Sequence, residues 1–453
     1  MAPDDADVPL TTRLQNVLPS ALDLLKEHVA IPSVSSLPER ADDVERSAAW
    51  VLAQAQRLGC AQGWIVTEGG KPAVIAQWPA PEGQPTVCLY AHHDVQPTGD
   101  LALWASDPFV ATERTDAVGE ERLYGRGTAD DKGGLAVHLA ALEAFGGKPP
   151  VGVTLFIEGE EEIGSPSLAT IIERHHEALA ADVFVIADSG NWEVGVPAFT
   201  TTLRGLADCV VEVATLDHAL HSGSFGGVVP DALTTLCRLL ATLHDDNGRV
   251  AVAGLGTSEA PELDYPEQRL RSETGVLDGV DWIGEGSVVS RLWNQPSISV
   301  LAIDAPSVAN ASNTLQPKAR AKVSLRVAPG DDAHQAMAAL HRHLEEHAPF
   351  GARVTVTDGD AGQPGIIAFE GAVAEAATDA FREAWGVDPV QMGQGGSIPM
   401  VADFQRQFPQ ATVLVTAVGD PDTRAHGIDE SLHLGDWRKA CLAETLLLDR
   451  LAR

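Results

Sequence analysis

Apolar residues recur at helical spacing near the start of the chain, and short apolar runs follow them. Leucine and valine at positions 14, 18, 22, 25 and 29 predict an amphipathic helix over 12–29. Pro19 lies inside this window, which leaves open a kink or a helix start near Pro19. A second amphipathic helix is predicted over 44–58, and apolar runs predict strands at 61–67, 73–77 and 86–90.

Strand and helix patterns then alternate. Residues 128–145 predict a helix that opens with Thr128 and two aspartates, since acidic residues suit a helix N-terminus. Apolar runs at 151–157 and 183–187 predict buried strands, with a helix over 167–179 between them. Such alternation is typical of an α/β fold, in which helices cover both faces of a mostly parallel sheet.

The pattern changes after residue 196. Strands are predicted at 206–213, 297–302, 319–327 and 353–357, helices at 230–243 and 333–347, and a loop-rich segment over 245–295. We interpret residues 198–362 as a smaller α+β domain inserted into a larger domain. The two parts of that larger domain are then 1–197 and 363–453, with helices at 370–385 and 435–452 and a strand at 412–418 in the second part.

Length, net charge and cysteine content exclude several classes of protein. The 453 residues exceed one ordinary core and favour two domains, and the net charge of -33 argues against nucleic acid and anionic membrane surfaces. No apolar run has the length of a membrane span, and the N-terminus lacks the basic and apolar regions of a signal peptide. The five cysteines are scattered, which favours a reducing, cytoplasmic environment.

The sequence TLFIEGEEEIGS, residues 154–165, carries the first chemical signal. An apolar strand there is followed directly by Glu158 and a run of three further glutamates, whose like charges repel one another. Two interpretations of this run are open: a loop held by cations, and a solvated acidic loop. Other strand ends and loops also carry side chains that bind metals, namely His92, Asp94, Asp130, Asp188 and His426.

These side chains predict a metal site at one edge of the sheet. In open α/β sheets, ligands bind beyond the carboxyl ends of the strands. Imidazoles and carboxylates together suit a divalent ion such as Zn²⁺ or Mn²⁺. Five ligands exceed the needs of one tetrahedral ion and suit two ions that share a carboxylate, about 3.5–4 Å apart in two-metal hydrolases.

Three motifs give a specific resemblance. They are HHDVQP from His92, GRGTADDKG over 125–133 and EGEEEIGS over 158–165. With them, nearly the whole chain resembles the dinuclear-zinc peptidase family of aminoacylase, acetylornithine deacetylase, succinyl-diaminopimelate desuccinylase and carnosinase-type dipeptidases. That family combines a catalytic domain with an inserted lid. The resemblance therefore implies that residues 1–197 and 363–453 form the catalytic domain and that residues 198–362 form a lid and dimerisation domain.

The resemblance implies a role for each residue at the predicted metal site. The implied metal ligands are His92 on one ion, Asp130 as the bridge, Glu162 and Asp188 on separate ions, and His426 on the second ion. Asp94 then orients the imidazole of His92. Glu161 is the general base that takes a proton from water held by the ions and returns it to the leaving amine. The resemblance further implies a cis peptide bond between Asp130 and Asp131.

Neighbouring polar residues have simpler interpretations. We expect His93 to be packed or hydrogen-bonded beside the site rather than a ligand. Asp131 and Lys132 are expected to cap and solvate a helix start. Glu160 is expected to be solvated, and Glu158 supports the site from outside the ligand set.

The inserted domain contributes a second group through the same resemblance. His221, in the sequence HSG, matches a histidine that the partner subunit supplies in dimeric members and that stabilises the tetrahedral oxyanion. The HSG context favours it over His218. Thr314 and Arg326 resemble residues that grip the substrate, and the planar guanidinium of Arg326 suits a free carboxylate. A salt bridge at a strand end is the alternative role for Arg326.

A glycine-rich turn completes the expected substrate site. Gly396 and Ser397, in GGSIP, are expected to hold the same carboxylate as in the dipeptidases of the family. The motifs as a whole are most similar to the carnosinase-type branch. One departure concerns residues 358–369, where that branch often carries a substrate-contacting histidine and this chain has none. The side-chain specificity therefore stays open.

These observations lead to one expected function and two alternatives. We predict a two-metal dipeptidase that hydrolyses small peptides with a free C-terminal carboxylate. The expected ions are Zn²⁺, with Mn²⁺ or Co²⁺ as alternatives. The expected assembly is a homodimer through the inserted domain. The alternatives are an N-acyl-amino-acid amidohydrolase of the same family and a non-catalytic protein that binds peptide or metal.

Overall fold

The structure, a computed structural model, describes residues 8–258, 260–396 and 399–453. The chain divides into two compact units. The first consists of Met1–Thr201, Ile367–Met392 and Asp403–Arg453, and the second of Thr202–Ile366 and Gly393–Ala402.

Helices are found in both units, and none of those described is long and apolar enough to cross a membrane. In chain order they are α1 (Leu10–Val29), α2 (Ala41–Arg57), α3 (Lys132–Ala144), α4 (Leu168–Arg174), α5 (His176–Leu179), α6 (Ser222–Phe225), α7 (Ala232–Ala241), α8 (Glu267–Thr274), α9 (Ala333–Glu346), α10 (Gly371–Trp385), α11 (Pro399–Gln407) and α12 (Leu434–Leu451).

The strands are mostly short. In chain order they are β1 (Gln62–Val66), β2 (Ala73–Trp78), β3 (Thr86–His92), β4 (Thr112–Thr115), β5 (Glu121–Tyr124), β6 (Gly152–Glu158), β7 (Val183–Ile186), β8 (Ala198–Leu203), β9 (Gly205–Ala214), β10 (Leu220–His221), β11 (Ser297–Asp304), β12 (Thr314–Leu315), β13 (Lys318–Val327), β14 (Arg353–Gly362), β15 (Gly365–Ile366), β16 (Val390–Gln394), β17 (Thr412–Val415) and β18 (Ser431–His433).

A six-stranded sheet in the order β1-β2-β6-β3-β7-β17 forms the centre of the first unit. Strands β6, β3, β7 and β17 run parallel, while β1 and β2 add an antiparallel hairpin at one edge. The apolar runs of β3, β6 and β7 are buried along almost their whole length, as parallel strands between helices require. Side chains of α1, α2, α3, α10 and α12 share one core with the sheet. The predicted mostly parallel α/β fold is confirmed.

Some predicted helices differ from the observed ones. Helix α1 begins at Leu10 and continues through Pro19, so the alternative of a helix start near Pro19 is wrong. The predicted helix over 167–179 is two short helices, α4 and α5. The helix predicted to open at Thr128 begins at Lys132, because the preceding backbone N–H groups bind a distant carboxylate instead of starting a helical turn.

The second unit contains a four-stranded antiparallel sheet in the order β11-β13-β9-β14. Apolar residues of β9 and β13 form its core with the apolar faces of α7 and α9. Strand β11 lies at one edge of this sheet, and Val300, Leu301 and Ile303 on it are exposed. The segment predicted to be loop-rich, 245–295, also contains the eight-residue helix α8.

Candidate active site

The parallel strands of the first unit end side by side, and three predicted site segments follow these ends. His92 is the last residue of β3 and lies opposite Glu158 at the end of β6. Asp188 comes two residues after β7, and Glu161 lies in the short 3-10 turn Glu161–Ile163 after β6. Since parallel strands present their carboxyl ends at the same edge, residues distant in sequence come together there.

Asp130 lies between the two predicted histidine ligands. Its Oδ1 is 3.1 Å from Nε2 of His92, and its Oδ2 is 3.0 Å from Nε2 of His426. Asp188 Oδ1 is 3.9 Å from Nε2 of His92, and Glu162 Oε2 is 3.2 Å from Nε2 of His426. The five side chains thus form two groups, each with one imidazole and one further carboxylate, that share the carboxylate of Asp130.

Asp94 anchors both sides of this arrangement. Nδ1 of His92 is 3.0 Å from the main-chain oxygen of Asp94 and 3.5 Å from its carboxylate, so the imidazole is held by this residue. The carboxylate of Asp94 also accepts hydrogen bonds from the backbone N–H groups of Glu161 and Glu162, both at 3.2 Å. One buried aspartate therefore fixes the ring of His92 and the turn that carries the two glutamates.

Glu161 and Glu162 have different surroundings. The carboxylate of Glu162 accepts hydrogen bonds from the backbone N–H of Gln96 at 3.1 Å and from its side-chain amide at 2.8 Å. Burial, reinforced by the negative charge of Asp188, raises the pKa of Glu161 well above its ordinary value. A carboxylate with raised proton affinity beside a reaction site is suited to accept and return a proton.

The charge balance of the site fits divalent cations. Burial raises the pKa of Asp188 to about 7. The negative charges of Asp130 and Glu162 act in the same direction, whereas the positive charge of His92 lowers this pKa. Hydrogen bonds to Asp130 and Glu162 raise the pKa of His426 to about 10. The carboxylates therefore repel one another and attract any positive charge.

Two sets of ligand atoms lie within 4.8 Å of one another, His92 with Asp131 and Asp188, and His92 with Asp130 and Glu162. Asp131 was not predicted as a ligand. Mixed imidazole and carboxylate donors of this kind suit Zn²⁺ or Mn²⁺.

Three neighbouring acids and bases were predicted to be solvated, and all three predictions are wrong. Glu160 is buried and accepts hydrogen bonds from the backbone N–H groups of Lys71 and Ser167. Lys132 is buried and donates to the main-chain oxygens of His28 and Ile31. Tertiary contacts satisfy these charged groups, which periodicity along the sequence does not reveal.

Asp131 is the third of these residues. It is fully buried, makes no side-chain capping bond to α3, and accepts a hydrogen bond from the backbone N–H of His92 at 3.2 Å. The peptide bond between Asp130 and Asp131 is cis, as the resemblance implied. The two adjacent aspartates in the sequence could have indicated that a second carboxylate lies buried at this site.

Two other neighbours agree with prediction. His93 is buried, and its Nε2 lies 2.8 Å from the main-chain oxygen of Pro72. Glu158 is buried and accepts a hydrogen bond from the hydroxyl of Tyr90 at 2.8 Å. Both residues support the ends of β3 and β6.

The buried pair of Arg126 and Glu430 was not predicted from the sequence. Their side chains form an ion pair of 2.7 Å that is fully enclosed. Glu430 belongs to the sequence HGIDE, four residues after His426. Its closeness to the candidate ligand His426 indicated a role for Glu430 at the site. The sequence alone, however, could not distinguish a buried glutamate from a solvated one in a loop.

His221 and Thr314 lie opposite each other in the second unit, as the cross-strand pair of β10 and β12. His221 is exposed, and its Nδ1 accepts a hydrogen bond from the backbone N–H of Gly223 at 3.1 Å. Thr314 is half-buried, and its hydroxyl is 2.8 Å from that of Ser312. Their roles in binding or catalysis stay predictions.

Arg326 lies on β13, half-buried, opposite Ser297 of β11. Within residues 8–258, 260–396 and 399–453, no acidic side chain forms an ion pair with it, so the alternative of a strand-end salt bridge finds no support there. Burial, together with the charge of Arg326, lowers the pKa of Arg204 to about 10. Two guanidinium groups thus lie close enough to influence each other, and Arg204 was not predicted.

The glycine-rich turn is described in part. Gly395 accepts a hydrogen bond through its main-chain oxygen from Nε of Arg204 at 3.3 Å. A Cβ added at Gly396 would meet no atom of the described residues within 4 Å. Ser397 lies outside the described residues.

Comparisons with known proteins show the family of the chain. A profile of peptidase family M20/M25/M40 matches residues 88–450. The cysteinylglycine-S-conjugate dipeptidase of Corynebacterium striatum is 33% identical over 431 residues, which cover 94% of each chain. The crystal structure of human carnosine dipeptidase 1 superposes with a TM-score of 0.80 at 26% identity, covering 98% of this chain and all of that one. The dipeptidase Dug1p of Saccharomyces cerevisiae shares the fold, with a TM-score of 0.82 at 24% identity over 98% of each chain.

Proposed function

The chain belongs to peptidase family M20/M25/M40, and from this premise we propose that it is a dinuclear metal-dependent dipeptidase. Its substrates are dipeptides and small peptides with a free C-terminal carboxylate. The observation that carries the proposal is Asp130, whose two carboxylate oxygens each face a different imidazole. A single carboxylate shared by two donor groups is the arrangement that a pair of cations requires.

Five side chains would hold the ions. His92 and Asp188 form one group, Glu162 and His426 form the other, and Asp130 belongs to both. When bound, divalent cations act as Lewis acids that polarise the scissile carbonyl and lower the pKa of water. Zn²⁺ is the proposed ion, with Mn²⁺ and Co²⁺ as alternatives that these ligands also accept.

Glu161 is the proposed proton carrier. Its carboxylate takes a proton from the attacking water and returns it to the nitrogen of the leaving amine, so that the amide is split into a carboxylate and an amine. The raised pKa of Glu161 favours the first transfer, and the anchoring of its backbone by Asp94 keeps the carboxylate at the site.

The second unit supplies the proposed substrate contacts. His221 donates a hydrogen bond to the oxyanion, and Arg326 binds the C-terminal carboxylate of the substrate together with Thr314, Gly396 and Ser397. Support comes from the exposure of His221 and from the absence of an acidic partner for Arg326 among the described residues.

The proposed assembly is a homodimer. Strand β11 is the edge of a sheet, and its exposed side chains Val300, Leu301 and Ile303 are apolar. An edge strand with unpaired backbone groups and apolar side chains is a surface on which another strand can pair. A cytoplasmic location is supported by the five cysteines, all of which are free.

Hydrolysis of a dipeptide library by metal-reconstituted protein tests the function. The library contains Cys-Gly, an S-conjugate of Cys-Gly, β-Ala-His and Ala-Ala, since relatives are named for the first three types of substrate. We expect chelation to abolish hydrolysis and Zn²⁺, Mn²⁺ or Co²⁺ to restore it. We also expect β-Ala-His to be a poorer substrate than Cys-Gly, because residues 358–369 contain no histidine.

Two comparisons separate this function from its alternatives. Faster hydrolysis of N-acetyl amino acids than of any dipeptide would establish the amidohydrolase instead. Binding of metal without hydrolysis of either class of substrate would establish a non-catalytic binding protein.

A further inference from the structure

Two loops of the first unit carry ligands that face each other. Residues 125–131 follow β5 and carry Asp130, while residues 416–430 connect β17 to β18 and carry His426. The two ligands approach to 3.0 Å between Oδ2 and Nε2. Some element must fix the distance between these loops, because neither ligand belongs to a helix or a strand.

The His426 loop does not hold its shape through local preference. Arg424, His426 and Asp429 all have positive φ values, of 55°, 63° and 57°. Non-glycine residues rarely adopt this region of backbone space, because their side chains crowd the backbone there. The side chain of His426 is also 58% exposed, so packing contributes little to its position. The loop therefore depends on anchors elsewhere in its sequence.

Glu430 is the strongest of these anchors. Its carboxylate is completely buried and accepts four hydrogen bonds, two at each oxygen. Oε2 accepts from Nη1 of Arg126 at 2.7 Å and from the backbone N–H of Gly127 at 3.0 Å. Oε1 accepts from the backbone N–H groups of Ala129 and Asp130, both at 3.1 Å. A residue of the His426 loop thus binds the backbone of Asp130 itself.

Arg126 makes the reverse connection. It belongs to the Asp130 loop, and its Nη2 donates to the main-chain oxygen of Gly427 at 3.0 Å, next to His426. The same nitrogen lies 3.3 Å from the main-chain oxygen of Pro97, which follows the Gln96 that binds Glu162. The backbone N–H of Gly125 also donates to the main-chain oxygen of Glu430 at 3.0 Å.

We infer that Glu430 and Arg126 are positioning residues that together set the separation of Asp130 and His426. Each extends from one loop to the backbone of the other, so neither ligand loop can shift alone. We call this pair the loop clamp. The inference rests on the proposed metal site and assigns to it two residues that bind no ion and touch no substrate.

The clamp requires a carboxylate at position 430. All four partners of Glu430 are donors, and each of its oxygens accepts two of them. A glutamine of the same shape offers one oxygen, and its amide N–H groups would face two donors at the other position. Glu430→Gln therefore loses two hydrogen bonds and creates a repulsive contact without changing side-chain volume.

Asp420→Asn is a matched control. Asp420 lies at the start of the same loop and forms an equally buried ion pair, of 2.8 Å, with Nη2 of Arg122. Its described hydrogen bonds reach Arg122, Asp422 and Thr423, and none reaches residues 125–131. The control therefore weakens a buried pair of the same loop and leaves the clamp intact.

The experiment measures metal affinity and thermal unfolding of the metal-free protein, in the full chain. We expect Glu430→Gln to weaken binding of Zn²⁺ or Mn²⁺ by about 10–100-fold, as loss of a ligand's supporting partner does, and Asp420→Asn to change it by less than about threefold. Hydrolysis by Glu430→Gln should recover at high metal concentration. If Glu430→Gln fails to fold, Arg126→Lys takes its place, since lysine cannot reach both Glu430 and Gly427 with separate nitrogens.

Several outcomes would overturn the inference. Unchanged metal affinity in Glu430→Gln would do so, and so would an equal loss in both variants, because a general weakening of the loop would then explain it. A wild-type protein that binds no divalent metal would overturn the proposed function instead, so the two failures are distinguishable.

Discussion

His92 and His221 are both imidazoles assigned to one reaction, and their surroundings are opposite. His92 is completely buried, with one ring nitrogen toward Asp130 and the other toward the main-chain oxygen of Asp94. His221 is exposed and accepts one hydrogen bond from its own turn. The first unit thus holds the ring of His92 in a fixed position through protein groups alone. The exposed ring of His221 in the second unit is left free to bind a ligand.

This difference has a physical origin. Carboxylates and imidazoles crowded at strand ends need partners in fixed positions, since a buried charge without one is strongly destabilising. Asp94, Gln96 and Glu430 supply such partners to the ligand-bearing turns. Of the residues proposed to contact substrate in the second unit, His221 is exposed and Thr314 and Arg326 are half-buried, so they need fewer partners in fixed positions. Substitutions of the candidate ligands and of the residues that hold them should therefore change metal content or stability. Substitutions of Glu161, which is not a ligand, and of the proposed substrate contacts in the second unit should change only kinetics.

The largest expected effect is that of Glu161→Gln. Without a carboxylate to carry the proton, kcat should fall by about 10²–10⁴-fold, while the metal content stays at the wild-type level because Glu161 is not among the ligands. Steady-state kinetics and metal analysis of the same sample measure both quantities.

Glu160→Gln is the control for that prediction. Glu160 is the adjacent acid, but it binds backbone N–H groups of Lys71 and Ser167. This substitution should lower the unfolding temperature and leave kcat within a few-fold of wild type. Full turnover by a metal-loaded Glu161→Gln would remove Glu161 from its proposed role.

His221→Ala should have the next largest effect. Loss of one oxyanion donor lowers kcat by about 10²–10³-fold. Because His221 is exposed, the unfolding temperature and metal content should not change. His218→Ala, three residues away and also exposed, serves as the control and should retain wild-type kinetics. Equal losses in the two variants would argue against a specific role of His221.

Mixing two inactive variants sharpens the assignment of His221. If the partner subunit supplies it, a hybrid dimer of Glu161→Gln and His221→Ala contains one complete site. Random exchange at equal concentrations should then restore about one quarter of wild-type activity, since half of the dimers are hybrids with one working site each. No recovery after verified subunit exchange would show that His221 does not act across a dimer.

Much of the first unit could be predicted, for reasons that particular residues make plain. The continuous apolar runs before His92, Glu158 and Asp188 allow only buried strands, and the order of strands and helices indicates a parallel sheet. Strands β4 and β5 were missed because they are four residues long and partly polar. Short strands of this kind depend on pairing that the sequence pattern does not contain.

The buried charges were beyond sequence reasoning for a different reason. Glu160, Lys132 and Glu430 are charged residues, which usually lie at the surface. Each is buried because backbone groups far along the chain satisfy it, as the main-chain oxygens of His28 and Ile31 satisfy Lys132. Periodicity reports which face of an element is apolar, and it contains no information on such distant pairings.

Arg326→Met should have a smaller effect that depends on the substrate. Loss of a charge-assisted hydrogen bond to the C-terminal carboxylate should raise KM for dipeptides by about 10–100-fold. A dipeptide with an amidated C-terminus lacks that carboxylate and should show the same KM with both proteins. Arg320→Met, on the same strand but paired with Asp304, is the control. An equal rise in KM for amidated substrate would contradict the assignment.

The smallest expected effect concerns a second buried imidazole of the first unit. His28 stacks on Trp50, and its Nε2 lies 2.8 Å from the hydroxyl of Ser47. Whereas carboxylates surround His92, burial and the positive charges of Lys132 and His93 lower the pKa of His28 well below its ordinary value. A histidine with a depressed folded-state pKa stabilises the fold above the unfolded value, near 6.5, and this contribution is lost as the pH falls below it.

Below about pH 6.5, the free energy of unfolding of the wild type should therefore fall by up to about 1.4 kcal/mol per pH unit relative to that of His28→Gln. The glutamine keeps a polar group near Ser47 but does not titrate. Urea unfolding of both metal-free proteins at pH 7.5 and 5.5 measures this difference, and the other titrating groups cancel because they are common to both. If the free energies of unfolding of the two proteins changed equally with pH, protonation of His28 would not destabilise the folded state. The contrast with His92 would then rest on geometry alone, because two buried rings of one unit would no longer differ in their electrostatic surroundings.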